Sequence, residues 1–177
     1  QSLNGSWSFR VDEDNLGLAD HWFKAAWDDA GTIIVLFSME SVASGMAESG
    51  GARVVWYQRE IANPEAWGGR IVLRIGASDF HTRVFVNGLE VGQHRGGYAA
   101  FGFDIQHALQ PGRNHITIRV EDSLSWTQPR GKQAGTTRWP IDYDGVTGIW
   151  QSVWLEPLPT VSIESTSYAY EVDKQSL

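Results

Sequence analysis

Residues 80–104 read FHTRVFVNGLEVGQHRGGYAAFGFD, and this stretch decides the fold. Phe80 to Val86 is rich in aromatic and β-branched side chains, which fit a pleated, half-buried surface. Asn87-Gly88 follows. That pair is the strongest short hairpin signal, because a type I′ turn needs two consecutive positive φ angles. The return arm begins at Leu89 and Val91, and the chain passes through a glycine-aromatic loop, Gly96-Gly97-Tyr98, into a further strand ending at Asp104.

Outward from this hairpin the same rhythm continues. Ser6 to Val11 alternates polar and apolar residues, and residues 54–61 (VVWYQREI) and 71–75 (IVLRI) are further strand candidates, with Pro64 and Gly68-Gly69 between them. His115 to Glu121 is the cleanest alternation and follows a Pro111-Gly112-Arg113-Asn114 turn. Val153-Trp154-Leu155 and Val161-Ser162-Ile163 close the predicted series. Helical spacing occurs only over residues 16–30, weakened by Gly17, with short helical turns expected near 19–23 and 105–109. Many short strands without a βαβ rhythm predict an all-β antiparallel sandwich or barrel, with a jelly roll as the expected form. One domain over residues 1–177 is expected.

Composition narrows the function classes. The chain has 177 residues, 42% hydrophobic and 20% charged, with a net charge of −7. That charge, with no Lys/Arg run, argues against a nucleic-acid partner. No apolar run approaches the roughly 20 residues needed to cross a bilayer, so no membrane partner is expected. No secretory signal opens the sequence, and cytoplasm, periplasm and secretion all stay open. The absence of cysteine excludes disulfides, thiolate metal sites and a cysteine nucleophile.

Chemistry has few local signals. The five histidines form no HxH or HExxH pair, and no cofactor is expected. The clusters Asp12-Glu13-Asp14 and Asp28-Asp29 leave a structural Ca²⁺ open beside the simpler reading of solvated turn carboxylates. Sugar hydrolysis needs two carboxylates across the scissile bond; Glu60, Glu90, Glu121 and Glu156 sit in or beside strands and read as solvent-facing residues. Two stretches resist strand assignment, Met39 to Ala52 and Ser123 to Val146, and long loops in compact domains are often functional. The second holds Trp126, Gln128, Arg130, Lys132, Gln133, Arg138, Trp139, Asp142, Tyr143 and Asp144. Flat rings and planar polar side chains suit a sugar, which shows an apolar CH face and a fringe of hydroxyls. An interface loop docking on another domain suits the same composition.

Trp56-Tyr57-Gln58-Arg59, Ile71-Val72-Leu73-Arg74 with Gly76, Val86-Asn87-Gly88, Gly96-Gly97-Tyr98 with Phe103-Asp104-Ile105, Pro111-Gly112-Arg113-Asn114 and residues 148–155 (GIWQSVWL) occur in this order and spacing. Together with the opening Leu3-Asn4-Gly5-Ser6-Trp7-Ser8-Phe9, this resembles the N-terminal, sugar-binding-type domain of glycoside hydrolase family 2, the β-galactosidase, β-glucuronidase and β-mannosidase group. The resemblance covers nearly the whole chain. It implies a jelly-roll, galactose-binding-domain-like antiparallel β-sandwich placed before an immunoglobulin-like sandwich and a (β/α)₈ barrel, with the catalytic glutamates on the barrel. It therefore implies an accessory module, not an enzyme by itself. The implied partners are the catalytic domain and a carbohydrate: a galactoside, a glucuronide or a plant polysaccharide fragment.

The resemblance also implies that an acidic residue shortly before the Gly-Ile-aromatic motif reaches into the barrel's active site. Asp142 is the matching position and Asp144 the neighbouring one. The expected ligand contacts are thus Trp126, Gln128, Arg130, Gln133, Trp139, Asp142, Tyr143 and Asp144. Two other expectations stand beside this one: a structural or dimerisation sandwich without ligand affinity, and a small independent hydrolase that turns over aryl glycosides.

Overall fold

The computed structural model describes residues 1–48, 53–123, 127–133, 139–163 and 165–170. Its strands are β1 (Gly5–Val11), β2 (Gly31–Val35), β3 (Val54–Ala62), β4 (Arg70–Ile75), β5 (Ser78–Asp79), β6 (His81–Val86), β7 (Leu89–Arg95), β8 (Phe101–Asp104), β9 (Arg113–Glu121), β10 (Gly148–Ile149) and β11 (Val153–Leu158). A six-stranded sheet runs β2-β1-β3-β9-β6-β7, and a three-stranded sheet runs β11-β4-β8 with the short β10-β5 ladder beside it. All strand pairs are antiparallel. The all-β sandwich read from the alternation is what forms.

The core lies between the sheets because alternate residues point inward. Val55, Tyr57 and Ile61 of β3, Ile116, Ile118 and Val120 of β9, and Val84 and Val86 of β6 face Ile71, Leu73 and Ile75 of β4 and Val153 and Leu155 of β11. At the hairpin Asn87 and Gly88 have φ of 51° and 83°, the two positive angles the Asn-Gly pair predicts. The Asn87 side chain also donates to the Ala108 carbonyl and accepts from the His115 amide, so it ties the turn to the neighbouring segment.

The opposite residues of β3 and β6 are buried too. Val54, Trp56 and Phe85 lie under Leu18, Trp22, Phe23 and Trp27, so the segment after β1 covers the outer face of the large sheet. Phe23 stacks on Phe85 at 4.3 Å, and Arg10 lies over the rings of Trp22 and Trp27 at 5.3 and 4.9 Å. The helix-like spacing over 16–30 therefore marks a layer of apolar anchors. Its backbone makes irregular turns, bonding Asp20 to Leu16 and Trp22 to Gly17.

Asp12 holds the start of that layer. Its carboxylate is buried and accepts from the Leu16 and Gly17 amides at 2.8 and 2.9 Å and from the Trp56 indole at 2.9 Å. The cluster read as a possible calcium site thus has its central oxygens taken by N–H donors. Among the described residues no group of three or more His, Asp or Glu is placed to hold a metal.

Two strand expectations fail. Residues 31–35 (GTIIV), not read as a strand, form β2, with Ile33 and Val35 buried on β1. Val161-Ser162-Ile163, read as a strand, is irregular, with Val161 86% and Ile163 83% exposed. Among the described residues it has neither a pairing edge nor an apolar face to cover, and β-branched residues alone do not make a strand. The helical turn expected at 105–109 is a 3₁₀ turn over Gln106–Ala108.

The beginning of the chain joins its later part. The Leu3 amide donates to the Val153 carbonyl and the Leu155 amide to the Gln1 carbonyl, both at 2.8 Å.

Candidate functional site

The strand carboxylates are occupied. Glu60 pairs with Arg113 at 3.3 Å, Glu90 with Arg83 at 2.6 Å, Glu121 with Arg119 at 2.9 Å and Glu156 with Arg74 at 2.7 Å. Each sits with its own arginine on the same or a neighbouring strand, so they form no acid pair across a common cleft.

A cleft of about 400 Å³ opens at one end of the sandwich, near the β10-β5 ladder. That volume falls within the ~300–1,000 Å³ usual for small-molecule sites. Asp79, the last residue of β5, lies in it, held in register by Gly148 of β10. Gln133 bridges two walls: its Nε2 donates to Asp79 Oδ2 at 2.9 Å, and its Oε1 accepts from the Val146 amide at 2.6 Å. Tyr98 and Trp150 form one aromatic side, their rings edge-to-face at 6.2 Å. The Trp150 indole donates to the Gly97 carbonyl at 2.8 Å, which fixes that wall. Tyr143 and Phe37 face the cleft from other segments.

Gly97 is required where it stands. A Cβ there would lie 2.6 Å from Asp79 Oδ1, so any other residue would push the carboxylate away. The Gly96-Gly97 pair is architectural. Tyr98 beside it, however, is a cleft residue.

Burial pushes the Asp79 carboxyl up to about 6, with the neighbouring Asp122 charge adding to the rise and the Gln133 hydrogen bond opposing it. Glu40, whose Oε1 accepts from the Thr147 amide, is also raised, chiefly by burial. An acid whose folded-state pKa lies above its unfolded value binds more protons when folded. Stability is then highest at low pH and falls as pH rises from about 4 to about 6. For Asp79 the difference corresponds to about 3 kcal/mol. The gap in stability between the protein and Asp79→Asn is expected to change by that order across this window. Urea unfolding at several pH values measures it, and a gap independent of pH refutes it.

The residues expected from the 126–144 loop are only partly brought together. Gln133 and Tyr143 line the cleft. Tyr143 is fixed there by its amide bond to the Lys132 carbonyl at 3.1 Å and by the Lys132 amide donating to its hydroxyl at 3.2 Å. Trp139, 68% exposed, and half-buried Asp142 form a tight turn just outside. The Trp139 amide donates to Asp142 Oδ2 at 2.8 Å, and the Asp142 amide donates to the Trp139 carbonyl at 3.0 Å. Asp144 is exposed on the same loop.

Gln128 and Arg130 lie elsewhere. Gln128 bonds Asp122 and borders a smaller polar recess with His81, Arg95 and Glu121; Arg130 is buried and its carbonyl accepts from the Gln133 amide. Trp126 and Arg138 lie outside the described residues. Of the other tryptophans, Trp7, Trp22, Trp27 and Trp56 are packing residues. Asp79, Tyr98, Trp150 and Phe37 are among the cleft residues that sequence reasoning missed.

Residues 1–159 match the family model described as glycosyl hydrolases family 2, sugar binding domain. A β-glucuronidase from Paenibacillus borealis is 36% identical over 135 residues, covering 75% of this chain and 23% of that enzyme. The human β-glucuronidase is 30% identical over 203 residues, covering 99% of this chain and 31% of that enzyme. Among solved structures, a β-glucuronidase from an uncultured Clostridium sp. superposes with a TM-score of 0.74 at 29% identity, over 90% of this chain and 29% of that one. The Ruminococcus gnavus β-glucuronidase in complex with D-glucuronic acid gives 0.72 at 25% identity, over 88% and 28%. The chain thus spans about a third or less of the length of these relatives.

Proposed function

The chain belongs to the sugar-binding domain family of the family 2 glycosyl hydrolases, and from that premise we propose that it is the accessory sandwich of a β-glucuronidase-like enzyme. In this reading the domain docks on the catalytic module and presents the 139–144 turn to the sugar. The turn places a carboxylate between two exposed aromatic residues, Trp139 and Tyr143, on a backbone clamped from both sides. That is the observation carrying the proposal. Asp142 offers hydroxyls an acceptor, and the flanking rings offer apolar faces to a pyranose. Rigid backbone around it keeps the ordering cost of binding low.

Exposed Phe37, Tyr98, Trp139, Ile141 and Tyr143 at this end of the sandwich support a second surface lying against it. The solved Ruminococcus gnavus relative is in complex with D-glucuronic acid, which makes a uronide the first sugar to test.

In the longer polypeptide carrying this domain, Asp142→Ala is expected to lower kcat/KM for an aryl glucuronide by about 10- to 100-fold, the scale of one lost charge-assisted hydrogen bond. Steady-state kinetics measures it, with an unchanged melting temperature as control. Unaltered kinetics would refute the sugar contact. If this polypeptide shows no glucuronide turnover, and calorimetry on the chain gives no heat with glucuronides, galactosides or mannans, the module is structural.

A further inference from the structure

Asp79 is only 3% exposed, yet one of its two oxygens has no donor. Oδ2 accepts from Gln133, while Oδ1 is buried without a hydrogen-bond partner. A buried anionic oxygen left unpaired costs free energy, and a bound group that donates to it recovers that cost. The missing Cβ of Gly97 lets that backbone lie close against Oδ1 without supplying a donor to it.

Everything around this oxygen favours positive charge. Asp79 is the sole charged residue among the described residues lining the cleft. Asp122 adds negative charge nearby. The walls carry the rings of Tyr98, Tyr143 and Trp150, whose faces attract cations. Two N–H donors that would welcome an anion are spent: the Trp150 indole on Gly97, the Gln133 amide on Asp79. A bare metal ion is poorly served, since calcium takes about 6–8 oxygens and only one free carboxylate oxygen is offered.

We propose that this cleft is a binding site for an organic ammonium group, its N–H bonded to Asp79 Oδ1 and its carbon flank against Tyr98, Tyr143 and Trp150. A neutral hydroxyl would fill the hydrogen bond but not the charge, and charge-assisted bonds are about twice as strong. The cleft shares Tyr143 with the turn that carries Asp142, but the ammonium contact at Asp79 does not use the Asp142 carboxylate.

The test titrates the full chain with n-butylammonium, n-butanol and butanoate, one shape in three charge states, at pH 7.5. Nuclear magnetic resonance follows the Gly97 amide, the Gln133 side-chain amide and the Trp150 indole. The ammonium is expected to bind at least about tenfold more tightly than the alcohol, and butanoate not at all. Asp79→Asn is expected to remove that preference. Should Asp79→Asn fail to fold, exposed Tyr98 supplies the second reading: Tyr98→Ala weakens ammonium binding about threefold or more, and Tyr98→Phe keeps it. Tighter binding of Nα-acetyl-lysine amide than of butylammonium would assign the group to a polypeptide side chain, and the reverse to a free amine. Equal affinity for alcohol and ammonium, no shifts with any probe, or an unchanged preference in Asp79→Asn overturns the proposal.

Discussion

Gly148→Ala is expected to cost the sandwich about 4 kcal/mol, from backbone strain added to overpacking. Gly148 has φ of +97°, a conformation that side chains with a Cβ rarely adopt. A Cβ there would stand 2.1 Å from the Tyr57 hydroxyl, with the ring carbon behind it at 3.1 Å. Tyr57 cannot retreat. It is fully buried on β3 against Phe9, and its hydroxyl accepts from the Ile149 amide at 3.1 Å. Either β10 lifts from β5 or the core opens. Urea unfolding would show the loss as a lowered midpoint, and Tyr57→Phe in the same chain is expected to restore part of it by deleting the clashing oxygen. An unfolding free energy within about 1 kcal/mol of the parent, near the scale of ordinary surface changes, would refute this packing. Because Gly148 pairs with Asp79, the same substitution is expected to disturb the cleft resonances.

Asp12→Ala has the second largest expected effect, about 3 kcal/mol, the scale of leaving several buried N–H donors without their acceptor. Three donors lose their acceptor at once: the Leu16 amide, the Gly17 amide and the Trp56 indole. The damage should spread along the covering layer, since Trp56 contacts Trp22 at 5.8 Å and Phe85 at 6.1 Å. Thermal melting followed by near-ultraviolet dichroism reads both the loss of stability and the loosened tryptophans. A chelator separates this role from a calcium site. With Asp12 already satisfied by N–H donors, EDTA is expected to leave the melting unchanged, and a large downward shift would restore the calcium reading.

The sequence pattern reveals most of the sandwich because alternation is imposed by burial. β1, β3, β4, β9 and the β6-β7 hairpin each bury one side-chain row against the opposite sheet, and the row shows in the chain. β2 escaped because it is a five-residue edge strand running straight out of an acidic turn. Residues 161–163 misled for the converse reason: they have strand-like side chains but no neighbour. The 139–144 turn stood out as a candidate through its aromatic and polar composition and, for Asp142 and Asp144, through the family resemblance. The cleft beside it was not. Asp79, Tyr98 and Trp150 come from three separate segments, and only the sheet pairing brings them within reach of Gln133. A lone aspartate at the end of a strand carries no local mark of its burial. Gln128 and Arg130 have side chains suited to a sugar, but packing turned them to other work.

The bonds between residues 1–3 and residues 153–155 set an order of events for synthesis. β11 forms the outer edge of its sheet by pairing with β4, which emerges from the ribosome some eighty positions earlier, and it also secures the segment before β1. Until it appears, β4 lacks one of its two strand neighbours, and Gln1 and Leu3 lack their backbone partners at 153 and 155. A nascent chain ending before Val153 is therefore left with open strand edges and exposed apolar surface. Such long-range closure makes for slow folding and a long window in which chaperones can act.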